Sequence, residues 1–575
     1  MRHAARRAAA GAGALLLALY VGTVAPGVTF WDAGEFGAAF ATLGVPHPPG
    51  TPLFVLLGHT WTGALAALGV DRAVAANLLS GACTAGAGAA AAALVARWTG
   101  TAAAGVAAAL TAGSFATVWL GAIETEVYAA ALLLVWLTLA AADRAARAPE
   151  DERWPTALVF LGALALPLHL SAAVAAPAVA LLAGGGVRDR RGWATLALVG
   201  GAALLPIGLG RGSIAATAGG VVALLAAARL VAPTPTAALA RGGRWLVVAA
   251  LALSPVLVLL VRARLEAPLD QGHPATWGAL GDVLARRQYA VAPAWPRQAP
   301  WWLQLGNAIQ WADWQVALGL DPGVAPSWRR TPLTLAFAAL AVVGAWWHRG
   351  RDRRSFAALA SLLLASTVGV AAALNLKAGP SYGRGVLPPD APHEARERDY
   401  FFGLAFWTWG TWAGLGAWRA GGALASRVGA PAVGAVGLAV AALPVALNWG
   451  AVARRRAEAP LAEALGEALL ASAPPRAVLV LHADNDSYPT WHAALARGRR
   501  PDVVPVTVSL LPAAWYRDEL RRRHALLPPS AVTRWSGTAA TLPLLGEGAA
   551  ARGRPRVASL PAAAEVAAAL GGRWR

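Results

Sequence analysis

The chain has 575 residues, 57% of them hydrophobic and only 14% charged, with a mean hydropathy of +0.50. That balance excludes a string of soluble domains and points to a polytopic membrane protein. The formal net charge is +19, carried almost wholly by arginine, with Lys377 the only lysine. Because the arginines stand in short clusters between apolar runs, they argue for membrane topology and against a nucleic-acid partner. Cys83 is the only cysteine, so an intrachain disulfide and a thiolate metal site are both excluded.

Arg2, His3, Arg6 and Arg7 precede a first apolar run over residues 8–24. The pattern fits a secretory signal, but the small-residue site at Ala25 is followed by Pro26, so we expect an uncleaved helix that starts in the cytoplasm. The polar stretch Thr29-Phe30-Trp31-Asp32-Ala33-Gly34-Glu35-Phe36 follows, and then Val45-Pro46-His47-Pro48-Pro49-Gly50-Thr51-Pro52-Leu53. Charge held at a membrane surface is costly unless it has a use. If a helix starts near residue 31, Asp32 and Glu35 share one face as paired carboxylates. Pro48 and Pro49 stiffen the segment that places His47. A carboxylate there can act as general base towards a hydroxyl, whereas a solvated linker is the bland alternative.

Further apolar runs cover residues 72–96, 100–120, 127–142, 155–171, 172–187, 193–210, 213–231, 245–262, 331–347, 355–375, 401–418 and 429–449. With the first, they make about 13 expected spans at roughly 20 residues each. The run 51–69 is long enough to cross, yet the arginine clusters at 97, 188–191, 241–244, 349–354 and 419–427 all fall on the cytoplasmic side only if it does not. The same count places residues 26–50, 121–126, 263–330, 377–400 and everything after 450 on the outer face.

Several polar motifs then share that face. Glu124 and Glu126, followed by Tyr128, sit between two apolar runs and read either as a helix boundary or as part of a pocket. His169 interrupts another run, either as a packing residue or as a ligand. The run His393-Glu394-Ala395-Arg396-Glu397-Arg398-Asp399-Tyr400 offers two guanidinium forks that match phosphate oxygens, with pairing to the neighbouring acids as the alternative. Arg262, Arg264, Gln288 and Tyr289 are weaker candidates. Residues 450–575 change character: strand signals at 477–482 and 502–508 flank a polar loop and a helical stretch, a β-loop-α-β pattern. Pro505 weakens the second strand. Within the loop, Asp484, Asn485 and Asp486, with Trp491 beyond, resemble a metal-binding Asp/Asn loop but lack the Gly and terminal Glu of an EF-hand, and a strand-end turn explains them equally. Divalent-metal dependence stays open.

Taken in order, Asp-x-x-Glu-Phe, His-Pro-Pro-Gly-x-Pro-Leu, Glu-Val-Tyr, Glu-x-Arg-Glu-Arg-Asp-Tyr-Phe-Phe and Asp-Asn-Asp-x-x-Pro-x-Trp resemble a membrane family of formerly unknown function. That family is related to the protein O-mannosyltransferases of the GT-C glycosyltransferase class. The resemblance implies a mainly α fold, a GT-C-like transmembrane domain over residues 1–449 with outer-face catalytic loops, and a small extracytoplasmic α/β domain over 450–575. It implies transfer of a hexose, mannose favoured, from a polyprenyl-phosphate-linked donor to a hydroxyl of a protein or glycan at the outer face of a bacterial inner membrane. Asp32 would be the base and Glu35 its partner, with His47, Glu126, His169, Arg396 and Arg398 around donor and acceptor. Glu124, Tyr128, Asp399 and Tyr400 stand beside them in the same motifs. The terminal motif departs from the family pattern in beginning His-Ala-Asp and in ending Trp491-His492. A transporter or flippase for lipid-linked sugars, or a non-catalytic assembly subunit, are the alternatives; the first requires charge near span centres and paired broken helices.

Overall fold

The computed structural model describes residues 2–184, 189–289, 292–384, 386–427, 433–455 and 460–570. Arg188 of the 188–191 cluster and the start of the expected span 429–449 lie outside them. The chain forms two compact units. One comprises Met1–Val24, Ser80–Ser254 and Ala290–Ala453; the other comprises Ala25–Leu79, Pro255–Tyr289 and Arg454–Arg575. The boundary drawn from composition at 449/450 lies close to one of these cuts, and the second unit also takes in the first polar loop and the segment 255–289.

The first unit is a helical bundle. Among the described residues of the whole chain, nine helices are long and apolar enough to cross a membrane. A tenth is reached if Ala102–Ser114 and Ala116–Ile123, bent by 76° at Phe115, count as one broken span. This is fewer than the thirteen apolar runs. The stretch 155–187 divides at His169, whose backbone is extended, into two helices too short to count. The run expected at 245–262 is instead a helix over Pro235–Leu253, ended at Ser254-Pro255. The helix Gly403–Arg427 is not among the nine, its tryptophans and glycines lowering its hydropathy. Pro52–Ala67 is a 16-residue apolar helix, shorter than those counted.

Helices in such a bundle associate through close packing rather than through expulsion of water. Gly416 lies so close to the Leu340 backbone that any side chain would collide with its carbonyl. Charge near the span ends is paired: the buried Asp143 accepts from Trp98 Nε1 and lies 3.1 Å from Arg97 and 3.0 Å from Arg147.

The second unit is built on a three-stranded parallel sheet of order β2-β1-β3, with β1 Val478–Leu481, β2 Val504–Thr507 and β3 Arg556–Ala558. Val478 pairs with Val504 on one side and Arg556 on the other. The central β1 is buried at all four positions, as a strand covered on both faces requires. Pro505 is tolerated because β2 is an edge strand, where a missing N–H leaves no ladder bond broken. Helices Leu461–Ser472 and Asp484–Trp491 belong to the same unit, as do Asp32–Thr42, Val256–Arg264 and Trp277–Leu284.

Candidate active site

In the second unit the first polar loop turns into the helix Asp32–Thr42, with both acids in its first turn. That end of a helix favours negative charge. Trp31 precedes it at φ 66°, ψ −142°, a conformation that costs a bulky residue strain. The strained turn is held from the terminal motif: the Trp31 N–H donates to Asn485 Oδ1 at 3.0 Å. The loop entrance is tied in the same way. Asn77 donates to the carbonyls of Ala25 and Gly27 at 3.0 and 2.9 Å, and Glu463 accepts from Val28 N while pairing with Arg497.

Only glycine fits at position 34, since a Cβ there would stand 2.6 Å from the Tyr488 backbone. Tyr488 and Trp491 join Ala38, Ala39, Val55 and Leu269 in one apolar cluster. Trp491 is therefore a packing residue of this unit. Arg262 donates to the carbonyls of Leu43 and Thr42, closing the C-terminus of the same helix, and Arg264 donates to Ala275. Gln288 accepts from Trp515 Nε1. These three weaker candidates are structural.

The two acids do different work. Glu35 is fully buried and accepts three hydrogen bonds: from His47 N at 2.7 Å, from His47 Nδ1 at 2.5 Å and from the Gln271 amide. Three donors on one carboxyl match an acceptor-only carboxylate. Burial pushes the Glu35 carboxyl above its usual range, against the opposite pull of His47. Burial would lower the His47 imidazole, but the charge and hydrogen bond of Glu35, with Asp32, outweigh it and raise it to about 9, Arg286 opposing. Asp32 is half-exposed. Tyr289 and Tyr488 are raised by burial first and then by Glu35, Asp484 and Asp32, so all these groups share one electrostatic neighbourhood.

Gln271 and Arg286 carry no sequence signal. Gln271 lies 236 positions from Glu35 and is brought there by a backbone clamp: Val45 N donates to Leu269 O at 2.8 Å, and Gln271 N donates to Val45 O at 2.9 Å.

Asp486 is engaged by protein donors. Its carboxylate accepts from His482 N at 2.8 Å, Ala483 N at 3.0 Å and Ser559 Oγ at 2.5 Å, which caps the helix Asp484–Trp491 and ties it to the sheet. Among the described residues the His, Cys, Asp and Glu side chains that could together hold a metal are Glu266, Asp270 and His273, with donor atoms within 4.8 Å of one another. Glu266 already pairs with Arg522 and Arg523, and Asp270 accepts from His273 at 2.6 Å. Guanidinium groups thus stand where a cation would have to enter, and the set fits a divalent metal poorly.

The first unit gathers another group of predicted residues. Tyr128 stacks edge-on against His169 at 4.7 Å and lies 5.3 Å from the Tyr400 ring. His169 Nδ1 lies 2.7 Å from Ser171 Oγ. The Tyr400 hydroxyl accepts from Arg398 at 2.6 Å and from Arg396 at 3.0 Å, and Arg396 also covers the Tyr400 ring at 4.7 Å. Arg398 pairs with Glu394 at 3.2 Å, while Glu397 accepts from Trp311 Nε1 and Ser381. Asp399 accepts from Thr117 Oγ1 at 2.6 Å. Glu126 is the residue before the helix Val127–Arg147, its N–H bonded to Ser80 Oγ, and Glu124 ends the preceding short helix; both are half-buried. Phe402, in the same turn as Tyr400, lines an apolar groove of about 510 Å³ with Ile309, Ala341, Leu363, Phe406 and Trp409.

Residues 32–184 match the family model described as the N-terminal domain of protein O-mannosyl-transferase TMEM260, and residues 462–532 match TMEM260-associated domain 2. The chain carries an O-mannosyl-transferase-type N-terminal domain. The first match begins at Asp32 and takes in Glu35, His47, Glu124, Glu126, Tyr128 and His169; the second takes in the motif 484–491. Arg396 and Arg398 of this O-mannosyltransferase-like membrane protein lie outside both. No curated protein matches the chain.

Two solved structures from Archaeoglobus fulgidus are similar to it, an oligosaccharyltransferase with Zn and sulfate and the oligosaccharyltransferase AglB with an inhibitory peptide and a dolichol-phosphate. Identity is 11% and 14%, each TM-score is 0.45, and the alignments cover 87% and 90% of this chain. The chain spans 62% of the first and 68% of the second. At that TM-score neither likeness bears on the assignment.

Proposed function

We propose that the protein is a membrane glycosyltransferase that moves a hexose, mannose favoured, from a polyprenyl-phosphate carrier to a hydroxyl of a protein or glycan on the outer face of the membrane. The observation that carries this reading is the division of labour between the first-loop acids. Glu35 is buried with its oxygens engaged, so the half-exposed Asp32 is the carboxylate that can meet a substrate. Asp32 takes the proton of the acceptor hydroxyl as its oxygen attacks the anomeric carbon. The bond from that carbon to the phosphate oxygen breaks, its electron pair leaves with the polyprenyl phosphate, and the anomeric configuration inverts.

Arg396 and Arg398 suit a lipid phosphate. Both guanidinium groups donate to the Tyr400 hydroxyl, and Arg398 also pairs with Glu394. Preorganised cations of this kind stabilise a departing phosphate. The apolar groove bordered by Phe402 has the lining a prenyl chain requires.

The test is transfer in reconstituted membranes supplied with a panel of radiolabelled polyprenyl-phosphate sugars and a hydroxyl acceptor. Wild type should turn over the mannose donor, and Asp32→Asn should lose about 100-fold or more, the contribution of a general base. Undiminished turnover in a folded Asp32→Asn protein removes Asp32 from the mechanism.

A further inference from the structure

We propose that Gln271 is a positioning residue of this site: its amide fixes the Glu35 carboxylate so that His47 presents Nε2–H outward, as a donor to an anionic phosphate oxygen of the substrate. The inference rests on the transfer reading for its substrate and on geometry for the rest. Glu35 Oε1 receives both His47 N and the Gln271 amide, while Oε2 receives His47 Nδ1, so one buried carboxylate orients the backbone and the ring of His47 together. With Nδ1 occupied, Nε2 is the remaining ring nitrogen. It has no hydrogen-bond partner among the described residues and is not one of the buried atoms left unpartnered there, and the His47 side chain keeps 27% of its surface exposed.

The clamp that delivers Gln271 is a parallel bridge between Val45 and Asp270, two residues before His47 and one before Gln271. Any movement of the segment 267–273 therefore reaches His47 through both backbone and side chain. Asp270 is buried and spends Oδ2 on His273, which leaves Gln271 as the side chain of this segment that reaches Glu35.

The charged groups around the imidazole are few. Glu35 and Asp32 act on it from the helix Asp32–Thr42, and Arg286 from the turn after Trp277–Leu284. Asp484, Tyr488 and Tyr289 lie in the field of the same two acids, while Asp270 and His273 pair with each other. With Glu35 as carboxylate the ring is held as imidazolium, and Nε2–H becomes a charge-assisted donor, about twice as strong as a neutral one. A neutral amide at 271 strengthens that arrangement without adding a proton of its own.

The test reads the protonation of His47 directly. Diethyl pyrocarbonate modifies only the neutral imidazole, so the pH midpoint of His47 modification, followed by mass spectrometry of the full chain in detergent, reports its titration. Wild type should show a midpoint near 9. Gln271→Met keeps the volume but removes the donor; Glu35 then gives up charge more readily and the midpoint falls by roughly one pH unit, the scale of one lost charge-assisted bond. Gln271→Glu adds negative charge beside Glu35 and moves the midpoint upward.

Opposite displacements are what a merely structural role would not produce. Coincident midpoints, or two shifts of the same sign, overturn the proposal. In the transfer assay, Gln271→Met should shift the alkaline limb of kcat/KM down with the midpoint, costing about twofold at pH 8 and approaching about tenfold only above pH 9, as a one-unit shift requires. If no variant, wild type included, transfers sugar while the midpoints move as stated, the transfer reading fails and the positioning role stands.

Discussion

The first-loop cluster of one unit and the arginine-tyrosine cluster of the other handle charge in opposite ways. In the loop, a buried carboxylate is saturated by three donors and its charge is spent on holding a histidine. In the other cluster two cations converge on one hydroxyl, the arrangement we assign to a lipid phosphate. The difference separates groups that organise a site from groups that can receive a ligand, a distinction that residue type alone does not make. Glu35 and Asp32 are both acids of one helical turn, yet only one of them reaches solvent.

The sharpest way to break the comparison is to exchange the fates of the acids. Asp32→Asn should remove roughly 100-fold or more of transfer while leaving the protein folded. Glu35→Gln should instead disorganise His47, lower its modification midpoint and reduce both turnover and stability. If the two variants behaved alike, the division between base and organiser would be wrong. The cationic cluster is next in size. Arg396→Ala and Arg398→Ala each remove a charged hydrogen-bond donor and should raise KM for the lipid-phosphate donor roughly 10-fold or more. Tyr400→Phe, which removes only the neutral acceptor, should change KM much less. A Tyr400→Phe effect as large as that of Arg398→Ala would show that the arginines serve the fold rather than a ligand.

Much of this organisation was legible in the residues. A helix at Asp32 stood in the sequence only as the condition under which the two acids share a face, and the structure meets that condition; the strands at 478–481 and 504–507 followed from short apolar runs beside polar loops. The third strand, Arg556–Ala558, gave no apolar run because it is a short edge of mixed exposure. The thirteen apolar runs outnumber the nine long apolar helices of the described residues because apolarity does not register a break: His169 and Pro255 stop helices inside runs that hydropathy reads as continuous. Gln271 was illegible for a different reason, since it meets Glu35 only through a bridge between distant segments. Asp486 read equally as a metal ligand or as part of a strand-end turn, because acidic residues after a strand serve either role, and the donors around it favour the turn.

That assignment carries a prediction of moderate size. Asp486 is buried and satisfies two backbone N–H groups and one hydroxyl, so Asp486→Ala strands all three. The second unit should lose about 1–3 kcal/mol, visible as a lower Tm, with no dependence on added calcium. A calcium-dependent Tm in wild type that vanished in Asp486→Ala would restore the metal reading.

The smallest effect isolates His47 by pH. Its pKa is raised from its ordinary 6.5 to about 9, so it contributes stability that is complete below 6.5 and lost as pH rises through 9. The other shifted groups of its unit act elsewhere. Burial lowers His492 and His524 to about 4, so their contributions are present above 6.5 and lost as pH falls towards 4. Burial raises Glu519 to about 7, and its contribution is lost between 4.5 and 7. The buried tyrosines are raised above their ordinary 10 and do not titrate in this range. Glu35 and Asp270 are also raised by burial, so the share of the decline between pH 7 and 9 that belongs to His47 is the part that its replacement removes. Wild type should lose a few degrees of Tm across that window, roughly what 1–2 kcal/mol produces in a domain of this size, and His47→Gln should run flat. Parallel slopes in the two proteins would mean that the imidazolium and Glu35 do not hold each other, and the first-loop cluster would then lack the fixed cation that distinguishes it from the pair at 396 and 398.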